Sequence, residues 1–338
     1  MTPAAQPAPE PGGSRTWKGA LERYTSPRLD RSIIDLATSV VPYLVLFVAI
    51  LFVQRVSFAL SLLLVVPAAG FLIRVFIVFH DCSHGSFLRS RRANNVLGGI
   101  LGVLVWLPFR GWQHEHAVHH ATSGDLERRG IGDITTLTVS EYRKLSTLRR
   151  LGYRVFRNPA VMFGCGWLIV LVLKPRLVPH GANRRIRNSV LKTNLALALV
   201  AVALCLLVGW QAYVLAQLPI FVVAGAVGVW LFYVQHQFED AYWQQHSDWR
   251  YEDAALQGSS YLKLPRILQF FTGNIGFHHV HHLSVGIPNY NLQDAHENTE
   301  RLGEVPELTI TDGLRATRLK LWDEQRRRLV TFREARLG

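Results

Sequence analysis

Four apolar runs set the architecture. Ile33 to Val53 and Phe58 to Phe79 are 21 and 22 residues long, enough for a helix to cross a hydrocarbon layer about 30 Å thick. Pro42 is tolerable inside the first run. Only Gln54, Arg55, Val56 and Ser57 separate the two, so they predict a tight helical hairpin. Leu195 to Leu215 and Pro219 to Gln235 predict a second hairpin, whose tip carries Trp210 and Tyr213 and no charge. Val96 to Phe109 and Val161 to Leu173 hold 14 and 13 residues. Both are too short to cross and read as re-entrant or interfacial. The pattern therefore predicts an all-α integral membrane protein with four transmembrane helices in two hairpins, and a helical cap built from the polar remainder. Residues 1–14, rich in Pro, Ala and Gly, read as a disordered tail without a signal-peptide core. The tail extends to residue 30 as an interfacial stretch, with Trp17 and Tyr24 as headgroup anchors. A main domain spans 31–313, and the apolar positions of 314–338 among Arg and Glu suggest an amphipathic C-terminal helix.

Charge orients this arrangement. Lysine and arginine number 37 against 24 acidic residues, a net charge of +13. The basic residues concentrate between Asp125 and Asn194, as at Arg128, Arg129, Arg143, Arg149, Arg154 and Arg157. That excess places the loop in the cytoplasm, and the uncharged hairpin tip opposite it. The positive face suits anionic lipid or an acidic redox protein better than nucleic acid.

Histidine supplies the chemistry. His278, His281 and His282 stand at i, i+3 and i+4, so on a helix they leave one face and can converge on a metal. His116, His119 and His120 repeat the spacing, and His80 and His84 form an i, i+4 pair. Each group follows an apolar run, and two hairpins bring all three to the same side of the membrane. His236 ends the fourth span and is a further candidate ligand. Three or four ligands per ion and eight or nine histidines imply two metal ions, and imidazole suits Zn, Cu, Fe or Ni. Cys82, Cys165 and Cys205 lack a Cys-x-x-Cys pair, which excludes a cysteine-ligated iron–sulfur centre of the usual spacing. A zincin motif fails at Val118, where His114-Glu115 would require a second histidine. Arg74 can snorkel to the surface or face inward.

The three groups, His80 to His84, His116 to His120 and His278 to His282, resemble the histidine boxes of the membrane fatty acid desaturase family. The stretches His119-His120-Ala121-Thr122-Ser123-Gly124-Asp125-Leu126 and Gly273-Asn274-Ile275-Gly276-Phe277 are similar to its bacterial acyl-lipid, omega-6-like (delta-12-like) branch. The resemblance implies a di-iron site held by His80, His84, His116, His119, His120, His236, His278, His281 and His282. It implies O2 as co-substrate, two external electrons, and a cis double bond placed in an acyl lipid or acyl thioester. Removing hydrogen from an unactivated methylene needs an oxidant beyond any side chain, and metal and O2 supply it. His114, His180, His246, His279 and His296 fall outside the pattern. Asp81, Asp125, Asp133, Glu239 and Asp240 are candidates to accept the histidines' second N–H.

Pro11-Gly12-Gly13 follows Glu10 where a fused cytochrome b5 would need His, and no flavin or nicotinamide fingerprint occurs. The expected electron donor is thus a separate protein of ferredoxin or cytochrome b5 type, docking on the basic face of a bacterial inner-membrane enzyme. The nearest alternative is a di-iron hydroxylase or ketolase acting on an alkane, lipid or carotenoid. A divalent-cation transporter is disfavoured, because its ligands belong near the bilayer midplane.

Overall fold

The computed structural model describes residue 17 and residues 19–300 and 302–337. The tail expected over residues 1–14 lies outside the described residues. Helix α1, Leu29–Val56, and helix α2, Phe58–His84, form the first hairpin, with Ser57 alone between them. Its hydroxyl accepts the Leu60 N–H and starts α2, as a capping serine does. Pro42 and Pro67 sit inside the helices. Gly85, at φ 76°, stops α2 one residue beyond His84, where a left-handed residue is needed and glycine adopts it freely.

Helix α3, Arg91–Leu104, and helix α4, Phe109–Thr122, follow at 103° to each other. Further along the chain come helix α5, Arg184–Val208, and helix α6, Trp210–His236. Gly209, at φ 86°, divides α5 from α6. The second hairpin thus turns earlier than the expected run ending at Leu215, because the glycine provides the break while Pro219 is absorbed inside α6. Gln54 of the first turn donates to the Ala212 carbonyl at 2.9 Å, so the two hairpin tips lie together.

Among the described residues, five helices are long and apolar enough to cross a membrane, or six if the bent α3–α4 pair counts as one. The fifth is Pro159–Arg176, 18 residues long. It exceeds the expected 13-residue run because π and 3-10 turns carry the helix through Leu168–Arg176. Arg157, two residues before it, and Lys174, near its end, contact the histidine side of the molecule, while Trp167 in its middle packs against Gly225 of α6. Arg157 donates to Gln237 Oε1 at 2.9 Å, and Lys174 pairs with Glu115 at 3.2 Å.

The C-terminal stretch departs from the expected amphipathic helix. It comprises a helix at Ile310–Ala316, strands Leu321–Asp323 and Arg328–Val330, and a final turn Glu334–Leu337. The two strands pair antiparallel, and the first runs parallel to Leu137–Thr138. The first strand is buried along its whole length and the second at Leu329 and Val330, and Arg327, at φ 52°, turns the hairpin.

Burial follows the same division. The main apolar core unites α1, α2, α3 and α6, including Tyr43, Phe47, Leu72, Phe79, Ile220 and Val234. A second, under the cap, joins Leu21, Ile77, Phe277, Val280, Ile287 and Leu292, with Trp17 and Tyr24 packed against it. Arg74 turns inward: buried, it pairs with Asp35 of α1 and stacks on Phe270 at 4.0 Å. Arg157, one of the expected loop cations, is wholly buried.

Candidate metal centre

The helix ends deliver the histidines. Helix α7, His278–Leu283, is six residues long; it completes the set with α2, α4 and α6. Nine imidazoles form two groups, His80, His84, His116, His120 and His281, and His119, His236, His278 and His282. Within each group one ligand nitrogen per residue lies within 4.8 Å of all the others.

The partition follows from helix geometry. At about 100° per residue, i and i+4 point about 40° apart, while i+3 falls about 60° to the other side. His80 with His84, and His116 with His120, are such i, i+4 pairs and share the first group. His278 with His282 is the third pair and founds the second group. The i+3 residues cross over: His119 joins the second group and His281 the first. The expectation that His278, His281 and His282 converge on one ion is thereby corrected, for His281 points about 100° around the helix from His282 and joins the other group.

The donor sets fit metal ions. His116 Nε2 lies 3.0 Å from His120 Nε2, which lies 3.0 Å from His281 Nε2. In the second group His236 Nε2 is 3.1 Å from His119 Nε2 and 2.9 Å from His278 Nε2. Two ligands at right angles on bonds of about 2.1 Å stand about 3 Å apart. His84 Nε2 and His282 Nε2 are buried without a hydrogen-bond partner, an arrangement a cation would satisfy. Burial first, and neighbouring imidazoles second, hold His278, His281 and His282 well below the ordinary histidine pKa. They are neutral at pH 7, the form that ligates.

Outer partners fix some of these rings. His80 Nδ1 meets Asp81 Oδ1 at 3.1 Å, and His119 Nδ1 is bonded to Asp133. His236 Nδ1 donates instead to the Gly258 carbonyl at 3.0 Å, a backbone partner with no sequence signature. The other three carboxylates serve elsewhere. Asp125 holds His246 at 2.8 Å, Glu239 pairs with Arg328 at 2.6 Å, and Asp240 is exposed. Tyr251 donates its hydroxyl to the His282 carbonyl. Trp112 stacks on His116 at 4.3 Å and Phe232 lies 5.0 Å from His119, so each group has an aromatic wall. Of the off-pattern histidines, His279 Nε2 lies 3.0 Å from His296 Nδ1, while His114 and His180 are exposed.

Long apolar helices ending in two buried imidazole clusters define a membrane protein equipped to hold a pair of metal ions. The profile described as "Fatty acid desaturase" matches residues 23–310, and the chain belongs to that family of oxidoreductases. It is 47% identical over 310 residues to a fatty acid desaturase of Bacillus subtilis (strain 168), covering 92% of this chain and 88% of that protein. It is 28% identical to the sn-1 oleoyl-lipid 12-desaturase of Synechocystis sp. (strain ATCC 27184 / PCC 6803 / Kazusa), over 65% of this chain and 63% of the relative. To the sn-1 acyl-lipid omega-3 desaturase (ferredoxin) of the same strain it is also 28% identical, over 66% and 62%.

Proposed function

We propose that this chain introduces a cis double bond into the acyl chain of a membrane lipid, consuming O2 and two electrons from a separate iron–sulfur or haem carrier. Iron occupies both clusters in this reading. His80, His84, His116, His120 and His281 hold one ion, and His119, His236, His278 and His282 the other. The observation that carries it is the assembly of nine histidines from four helices into two groups of converging nitrogens. Bound iron supplies the O2-derived oxidant that takes one hydrogen from each of two adjacent carbons. The protein's part is to orient the rings through Asp81 and Asp133 and to keep water from the reacting carbons with Trp112 and Phe232.

Four crossings, by α1, α2, α5 and α6, are the topology we favour, with the clusters and the basic loop facing the cytoplasm of a bacterial inner membrane. Two contacts support it. His84 at the end of α2 lies 4.9 Å from His120 at the end of α4, which suits a re-entrant α3–α4 pair. Arg157 just before Pro159–Arg176 and Lys174 near its end both contact the histidine side, as the ends of a segment that enters and leaves on one side would. The basic face supports an acidic donor, in keeping with the ferredoxin named for the Synechocystis relative. The test is the lipid profile of a heterologous host expressing the chain or its His278→Ala variant with a working donor. A new cis-unsaturated acid that requires His278 is expected. Oxygenated acids in its place would move the reading to a hydroxylase.

A further inference from the structure

A continuous buried polar chain runs from the open end of the first hairpin to the first histidine cluster. It begins with Arg74 on α2, whose guanidinium pairs with Asp35 Oδ1 on α1 and donates to Ser39 Oγ at 3.2 Å. The second oxygen of Asp35 accepts from Asn289 Nδ2 at 2.9 Å. The same amide nitrogen donates to Asp81 Oδ2 at 3.0 Å, and the Asn289 backbone N–H donates to that oxygen at 2.6 Å. Asp81 Oδ1 is left for His80 Nδ1 at 3.1 Å. Arg74, Asp35, Asn289, Asp81 and His80 are all buried. Among the described residues no such chain reaches the second cluster through Asp133, whose Oδ2 has no partner there.

Asn289 lies seven residues beyond His282, the last residue of the third histidine box, in the turn Asn289–Asn291. It is the one neutral link between two buried carboxylates. An amide NH2 has two hydrogens and can serve both oxygens at once. Without it, Asp35 Oδ2 and Asp81 Oδ2 would lose the donor they share, and only Arg74 on the far side of Asp35 would offset the repulsion between the two carboxylates. With it, Asp81 cannot rotate, and its free oxygen pins the His80 Nδ1–H. The ring then presents Nε2, and no other atom, to the first cluster.

We propose that Asn289 is a positioning residue for the first metal site: it anchors Asp81 between the Asp35–Arg74 pair and His80, and sets that site's affinity without touching the metal. This inference rests on the two-metal reading above. Losing an outer-shell partner typically lowers metal affinity about 10–100-fold.

The test uses the full-length, metal-free protein in detergent, titrated with Co2+ and followed by its d–d absorption. Two backgrounds isolate the sites: His236→Ala with His278→Ala leaves the first cluster, and His84→Ala with His116→Ala the second. Asn289→Leu, similar in size but without donors, is expected to weaken Co2+ binding about 10–100-fold in the first background and to leave the second unchanged. Asn289→Ser, which retains a short donor, should restore part of the loss, and it carries the test alone if the leucine variant fails to fold. Equal affinity with and without the substitution in the first background overturns the proposal, as does an equal loss in both. If the chain with all nine histidines binds no Co2+, the two-metal reading itself fails.

Discussion

A methyl group at Gly132 should disable the second cluster from the outside. Gly132 precedes Asp133, the carboxylate bonded to His119 Nδ1, and holds φ at +73°. A Cβ there would stand 2.7 Å from the Glu115 carbonyl oxygen and 3.0 Å from His119 Cβ, both on α4. A left-handed non-glycine residue costs about 1–3 kcal/mol, and overpacking another 1–3 kcal/mol or so. A hydrogen bond to a charged group contributes about 1.5–3 kcal/mol. Together the two strain terms reach about 2–6 kcal/mol, above the bond over most of that range, so the loop is expected to swing away and release His119. Gly130 is the control: it is also left-handed, at φ +111°, but its Cβ would meet open space. Gly132→Ala should lower metal affinity at the second cluster about 10–100-fold and cut desaturated product accordingly, while Gly130→Ala pays only the backbone term and keeps both ions. The assay is metal content and Co2+ titration of the two purified variants beside product analysis in the host. Two ions at unaltered affinity in Gly132→Ala would refute the idea that Asp133 depends on this close approach.

The two clusters should respond unequally to loss of one ligand. His281→Ala leaves four imidazoles in the first group, whereas His282→Ala leaves three in the second. Metal analysis should show that His282→Ala loses its ion more readily during dialysis against chelator; equal retention would contradict the assigned partition. In the cap, burial and then the Arg157 guanidinium push Lys320 from 10.5 down to about 7. Between those values the unfolded chain keeps a proton that the folded chain has released, so stability should rise with pH from about 7 upward and show no such gain below it. Lys320→Met should abolish the rise, and parallel Tm–pH curves for the two proteins would count against it.

Much of this was legible because the membrane constrains the sequence so tightly. Apolar runs of 21 and 22 residues with four residues between them leave little but a helical hairpin. The histidine spacing was equally explicit, and the crossing of His119 and His281 could have been taken from the same 100° arithmetic. Partners distant in sequence are what the pattern hid. Leu321, Leu329 and Val330 read as apolar positions of a surface helix until Leu137 is known to lie beside Leu321 and Val330 opposite it. Arg157 reads as one more cytoplasmic cation, yet it closes five hydrogen bonds around Gln237, Tyr233, Thr136 and two carbonyls. Asp125 and Asp133 are equally plausible beside the second box. Only the path of the loop through Gly132 decides which of them reaches a box histidine.

The crossing of the boxes has a consequence for assembly. Neither cluster can form from one helix, or from one hairpin, since the first needs α2, α4 and α7 and the second α4, α6 and α7. α7 is the weakest of these, because six residues are too few to hold a helix unaided. It is kept in place by Val280 in the small core under the cap and by the Tyr251 hydroxyl on its His282 carbonyl. It also supplies three of the nine histidines, and two of them, His278 and His281, face other buried nitrogens about 3 Å away. Uncompensated lone pairs at that distance destabilise a dry interior, and cations turn the same contacts into bonds. Metal binding and the docking of α7 would therefore be coupled, and an ion held by either cluster would stabilise that docking.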